Sequence, residues 1–446
     1  MRVERRKSRR KTDCGLEKGL ATLWSRKKIT KAHGKYQMKV TKTRFYWVLL
    51  TGLCFIGAAD LIARDAPPGA MENQRDAEAA IALVKRNYVG YRDKCNLLGT
   101  SNIKRAETHA RTAAVTARTS EDCARIVLEY LRVFDDAHLQ FAFSDPSGKL
   151  NFRNSSPRVQ ALMAAAAALT NYEPTARVLS PAAFLISIPS FGLDSKSKIE
   201  TLLQRYDSDI RSRRFLVIDL RGNGGGYDAA YDSLLPYLYT QPVVERGTDV
   251  LATRQNADAW EKLIAPIPDG LSAGAKQILG MYQIPENEQK LRTEVAGTVK
   301  MMRAAPEGRF VPKEPDTTNI FPEVFPTPSR VGIIIDGLCA SSTEEFLLVA
   351  RQSKKVTIFG RPSFGVLDYA NVRLFILPSQ QMLLFLPTTR SRRLPSGAID
   401  NVGVVPDVRF DDDLASRKVS DAAVEYVRHY LERDLPTVNG SVPNGS

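Results

Sequence analysis

The segment VGIIIDGLCASSTEEF, Val331–Phe346, opens as a strand and closes as a helix. Val331–Ile335 is apolar or small at every position, the pattern of a strand covered on both faces of its sheet. Ser341-Ser-Thr-Glu344 is a capping-box pattern, and it starts a helix that the sequence carries from Ser342 to about Ser353. Strand, turn and helix in that order predict a layered α/β fold. Ser341 sits at the junction with two compatible roles. It can cap the helix, or it can stand where a helix N-terminus supplies backbone donors and positive potential to an oxyanion.

A second buried strand lies upstream in FLVIDLRGNGGG, Phe215–Gly226. Four glycines in five positions, Gly222 to Gly226, let the backbone approach another group closely and aim its N–H groups in one direction. A phosphate cradle, an oxyanion hole and a plain tight turn all fit such a loop. The dinucleotide pattern begun at Gly222 and Gly224 breaks at Tyr227, and no Walker lysine follows.

Further elements alternate through the second half of the chain. Phe184–Pro189 and Lys355–Phe359 read as strands, Lys196–Ser212 as a helix, residues 371–388 as paired strands and Ser420–Arg433 as the last helix. Upstream, Arg75–Ala137 is mostly helical by its apolar spacing, with Ser120 as an N-cap. Asp145–Gly148 reads as a turn and the Ala-rich residues 158–170 as a helix. Residues 240–330, rich in proline and charge, read as an insertion with some helix. At 446 residues the chain exceeds what one compact core usually holds. The division expected is a linker over 60–73, an N-terminal helical region over 74–180 and an α/β core over 181–446.

The formal net charge of +14 is concentrated at the N-terminus. Residues 1–44 hold sixteen Lys and Arg against three acids, so residues 45–446 carry only +1, and a basic nucleic-acid-binding face has no support. FYWVLLTGLCFIGAA, Phe45–Ala59, follows without a charge. Its fifteen residues fall short of the roughly 20 needed to span a bilayer. They suit a signal peptide, with Gly57-Ala-Ala59 for cleavage; an uncut signal anchor is the alternative. Either way the rest of the chain is expected in the periplasm or beyond, touching a membrane only through this segment, and with cleavage the mature protein is expected to begin near Asp60. Met38 makes a more compact start, which would leave 1–37 outside the protein proper. In an oxidising compartment Cys95 and Cys123 can pair, or they can stay buried thiols. Four histidines and no Cys/His cluster leave little for a zinc site, and no cofactor is expected.

Taken in order, VIDLRGNGGG, GLCASSTEEF, the Gly360–Gly365 turn GRPSFG and the closing GVVPD of Gly403–Asp407 resemble the tail-specific (C-terminal-processing) proteases and their relatives, the tricorn core and the retinoid-binding repeats of photoreceptors. The resemblance runs from about Phe184 to Val408, with Asp136-Ala-His138 upstream. It implies a crotonase-like ββα core and a serine peptidase acting on peptides or unfolded proteins. A non-catalytic binding protein on the same fold is the alternative. Ala142–Ala183 is only 42 residues, too few for the PDZ module that many of these proteases carry there.

The resemblance places the nucleophile at Ser341 and the oxyanion donors at the Ser342 amide and a loop glycine, Gly225. The tail-specific branch has its lysine base just after the GxxxxG turn, where this chain has Val366, and Lys354 and Lys355 precede that turn. The tricorn-like branch uses an upstream histidine and a downstream carboxylate, which match His138 and Asp400. His33, His109 and His429 lie in no matching motif. If Gly225 lends its amide to the oxyanion, Gly225→Val is expected to lower turnover by at least about 10²–10³ while sparing the fold.

Overall fold

The computed structural model describes residues 69–144, 150–154, 156, 158–159, 173–192, 194–410 and 420–433. Phe45–Ala59, the Asp145–Gly148 turn and most of the Ala-rich stretch 158–170 lie outside them. No helix among the described residues is long and apolar enough to cross a membrane.

One sheet carries the site. Its strands are β3 (Thr175–Ser180), β4 (Ala183–Ser187), β5 (Phe215–Asp219), β10 (Arg330–Ile335), β11 (Val356–Gly360) and β14 (Val408–Arg409), in the order β14-β11-β10-β5-β4-β3. All neighbours are parallel except β3, which pairs antiparallel with β4. The two-residue period of these strands divides their side chains between two cores. Phe184, Ile186, Leu216, Ile218, Ile333 and Ile335 face α5 (Ser195–Arg211) and α10 (Ser342–Ala350). Leu185, Phe215, Val217, Ile334 and Phe359 face α11 (Ser420–Glu432). Burial on both faces is why these strands read as continuous apolar runs.

The second sheet is antiparallel, in the order β2-β1-β13-β7-β8, with β12 along the other edge of β13. Its strands are β1 (Gln140–Ser144), β2 (Leu150–Asn154), β7 (Thr248–Ala252), β8 (Arg309–Glu314), β12 (Tyr369–Ile376) and β13 (Met382–Ser391). A two-stranded ribbon joins β6 (Val243–Glu245) to β9 (Thr317–Asn319). The N-terminal helices α1 (Ala70–Asn87), α2 (Tyr91–Leu98), α3 (Thr100–Ala114) and α4 (Ser120–Arg132) form one core with Phe141 and Phe143 of β1 and Leu384 and Leu386 of β13. The cap of α4 is Thr119 rather than Ser120: its hydroxyl accepts the Asp122 amide at 3.0 Å, and Asp122 accepts the Thr119 amide in return.

A short α6 (Leu235–Leu238) precedes residues 240–330, which add α7 (Arg254–Glu261), α8 (Ala273–Tyr282) and α9 (Gln289–Ala304). They also supply β7 and β8 to the second sheet, so this stretch is woven into it. The proline of RFVPKE, Pro312, hides β8 in the sequence. A strand at the sheet's edge accommodates it. Cys95, Cys123 and Cys339 are free thiols, and the Cys123 thiol donates to the Asn73 carbonyl.

Candidate active site

β5 and β10 are parallel neighbours, so the glycine loop and the Ser341 turn leave the same edge of the sheet side by side. Asp336 ties them, its Oδ1 accepting the amides of Gly222 and Leu338, each at 3.0 Å. Asn223, fully buried, completes the junction. Its Oδ1 accepts the Gly225 amide at 3.0 Å and the Thr343 hydroxyl at 2.9 Å, and its Nδ2 donates to the Ile188 carbonyl. Asp219 and Arg221 pair bidentately at the end of β5.

Ser341 is the N-cap of α10 with φ 58° and ψ −122°, a conformation that a residue with a Cβ rarely adopts. Holding it there costs about 1–3 kcal/mol, which the surroundings must offset. They do so through Glu344, whose Oε2 accepts the Ser341 amide at 3.0 Å and the Val366 amide at 2.9 Å. Its Oε1 accepts the Ser363 hydroxyl and the Gly365 amide, each at 2.6 Å. Burial pushes the Glu344 carboxyl up, and these four donors pull it back. Below, Phe346 packs against Phe191 and Tyr231 with ring centroids 5.9 and 5.3 Å away, pinning the first turns of α10. The Ser341 hydroxyl itself makes no cap hydrogen bond. Glu344 performs its half of the capping box and the serine hydroxyl does not.

Gly225 lies directly against this turn with φ +92°. A Cβ there would sit 2.5 Å from the Ala340 carbonyl oxygen and 2.9 Å from both Ser341 Cβ and the Ser342 nitrogen. The loop therefore has to be glycine at this point. Gly225→Val meets backbone as well as the serine, so the expectation that it spares the fold gives way to one of strain. The Gly225 amide points at Asn223 Oδ1 in this conformation.

His138 precedes β1 and is 1% exposed. Its neighbour Ala137 packs in one buried cluster with Ala340, Phe364 and Val366, which brings the upstream motif to the Ser341 turn. Val366, where the tail-specific branch has lysine, fills that cluster with an apolar side chain. Lys354 and Lys355 precede the N-terminal end of β11, a strand's length from the site, and Lys355 donates to the Phe325 carbonyl. His138 Nδ1 is hydrogen-bonded to the Tyr369 carbonyl. A carbonyl only accepts, so Nδ1 carries the proton of the neutral ring and Nε2 is the basic nitrogen. Burial holds the imidazole below its ordinary pKa, opposed by the Asp136 charge and the Tyr369 carbonyl.

Asp400 stands one layer behind. Its Oδ1 accepts the amides of Leu367 and Asp368 at 2.7 and 2.8 Å, and Asp368 Oδ2 accepts those of Ile399 and Asp400, each at 2.9 Å. The pair cross-braces the turn that presents the Tyr369 carbonyl. Burial, with Asp368 and Asp136 close by, pushes the Asp400 carboxyl well above the usual carboxylate range. Gly403 closes the same knot: a Cβ on it would lie 2.1 Å from the Ser363 carbonyl oxygen.

Residues 184–410, just over half of the chain, match the family model of peptidase family S41. Among solved structures, mature CPAF covers 82% of this chain and 99% of its own at 13% identity and a TM-score of 0.53. The photosystem II D1 C-terminal processing protease covers 77% of this chain and 94% of its own, at 13% identity and a TM-score of 0.41. The tricorn protease covers 81% of this chain and 37% of its own, at 12% identity and a TM-score of 0.42. No curated protein matches the chain. A mixed α/β core with its glycine loop and serine turn on one sheet edge, and a family match spanning both, lead to one conclusion: the chain belongs to peptidase family S41 and is a serine-type peptidase.

Proposed function

We propose that the protein is an exported endopeptidase that cleaves peptides or unfolded proteins with Ser341 as nucleophile and His138 as general base. The observation that carries this reading is the Ser341 backbone, held at a positive φ with its hydroxyl uncommitted to the helix and Gly225 against its Cβ. His138 takes the serine proton at Nε2 as Ser341 Oγ attacks the scissile carbonyl, then returns it to the leaving amine. The tetrahedral oxyanion is received by the Ser342 amide at the start of α10 and by the glycine loop. Gly225 contributes its amide when the oxyanion replaces Asn223 Oδ1 as acceptor. Asp400 supports the base through the turn that carries the Tyr369 carbonyl. Export rests on the Phe45–Ala59 segment with its basic flank.

A fluorophosphonate probe tests the site, because it reports an activated serine without a known substrate. Labelling of the parent, lost in Ser341→Ala, is the expected result. A parent that is folded and unlabelled would return the chain to the non-catalytic binding reading.

A further inference from the structure

His138 is held at two points, and one side chain stands behind both. Its backbone amide donates to Asp136 Oδ1 at 2.8 Å, and its Nδ1 donates to the Tyr369 carbonyl. Tyr88, the C-cap of α1 and 1% exposed, donates its hydroxyl to Asp136 Oδ2 at 2.6 Å. The Tyr88 ring meets the Tyr369 ring edge-on at 6.0 Å and the Phe134 ring at 5.6 Å. Asp136 is 1% exposed, so its charge acts in a low-dielectric setting close to the imidazole. We propose that Asp136, clamped by Tyr88, is the carboxylate that positions His138 and stabilises its imidazolium form. This rests on His138 being the base.

The alternatives at this spot are weaker. Asp400 Oδ1 and Asp368 Oδ2 are spent on each other's turns, and Asp368 Oδ1 faces Arg393 at 3.3 Å; Asp400 Oδ2 is buried and accepts no hydrogen bond among the described residues, His138 included. From α2, Asp93 accepts the Tyr369 hydroxyl at 3.1 Å and pairs with Arg390, while the Lys94 ammonium lies over the Tyr369 ring. Both engage the Tyr369 side chain, and neither is bonded to the imidazole. Asp136 holds the His138 backbone amide, and its charge raises the imidazole's pKa against the effect of burial.

Asp136→Asn separates charge from shape. An amide oxygen still accepts the His138 amide, and the Tyr88 hydroxyl can turn to accept from the new NH2. Removing the negative charge disfavours the imidazolium, so the His138 pKa falls. The rate of fluorophosphonate labelling against pH reads this directly. Its acidic limb should move toward acid by about one pH unit, and the plateau rate should fall about tenfold or more. A purely structural role would lower the rate without moving the limb. A folded Asp136→Asn protein with an unmoved limb overturns the proposal. Labelling of His138→Ala at the parental rate overturns the base assignment itself, a different outcome. Should Asp136→Asn fail to fold, Tyr88→Phe decides, since it keeps the ring packing and removes only the clamp. A shifted acidic limb in the labelling profile supports the proposal, and an unmoved limb refutes it whatever the plateau.

Discussion

Replacing Gly225 by alanine puts the proposed oxyanion site under a load that can be worked from the structure. The added Cβ meets the Ala340 carbonyl oxygen at 2.5 Å and the Ser342 nitrogen at 2.9 Å, both backbone atoms that cannot swing aside. At φ +92° the alanine also carries backbone strain of about 1–3 kcal/mol. Forcing one carbon into a packed junction adds about 1–3 kcal/mol. The sum is a loss of about 2–6 kcal/mol, seen as a fall in the unfolding temperature. Whatever relaxation relieves the clash must push the Ser341–Ser342 backbone away from the loop. Misplacing one oxyanion donor costs about 10²–10³ in rate. The assay is thermal unfolding and fluorophosphonate labelling of Gly225→Ala, with Gly270→Ala as control because nothing lies within 4 Å of a Cβ at Gly270. A Gly225→Ala protein with parental stability and labelling rate would refute the reasoning, since neither the contact nor its role could then be as described.

Three further outcomes follow from the same site and from the N-terminus. His138→Ala should lower the labelling rate by several orders of magnitude, and in the parent the acidic limb should lie below pH 6.5. Burial depresses the imidazole's pKa, so the basic form persists as pH falls and activity is lost only through that lowered value. A limb at or above 6.5 would contradict the buried, neutral ring. N-terminal sequencing of the exported form should begin near Asp60; a membrane-embedded product retaining Phe45–Ala59 would favour the anchor.

The core strands could be read from the chain because burial on both faces leaves them uniformly apolar. Expected Phe184–Pro189, Phe215–Leu220 and Lys355–Phe359 correspond to β4, β5 and β11 within two residues at either end. The second sheet was harder to read. Its β1 and β2 follow a helical region closely, and β8 contains Pro312, so their sequence signals are those of loops and edges. What makes them strands is pairing with β13 and β7, residues far away in the chain. Such pairing leaves little local trace.

The site divides the same way, between side chains that carry motifs and contacts that carry none. Ser341, the glycine loop and His138 stand out because their residue types are few and oddly placed. Glu344 was visible as a capping partner, but its second carboxylate oxygen is committed to Ser363 and Gly365, nineteen and twenty-one positions on. Asn223 sits inside the glycine motif, and only the fold reveals that it bridges β5's loop to α10. The group that orients His138 is a main-chain carbonyl, which every residue possesses, so no residue type could mark Tyr369. A search for the third member of a triad looks for a carboxylate and finds Asp400. In the proposed site, Asp400 behind the turn and the Tyr369 carbonyl in front of it share the work of that member. The carbonyl fixes the tautomer, and it carries only a partial charge to offer the imidazolium. That leaves the charge to come from a buried acid next to the ring. Asp136 is the one hydrogen-bonded to His138, two residues away in the same motif.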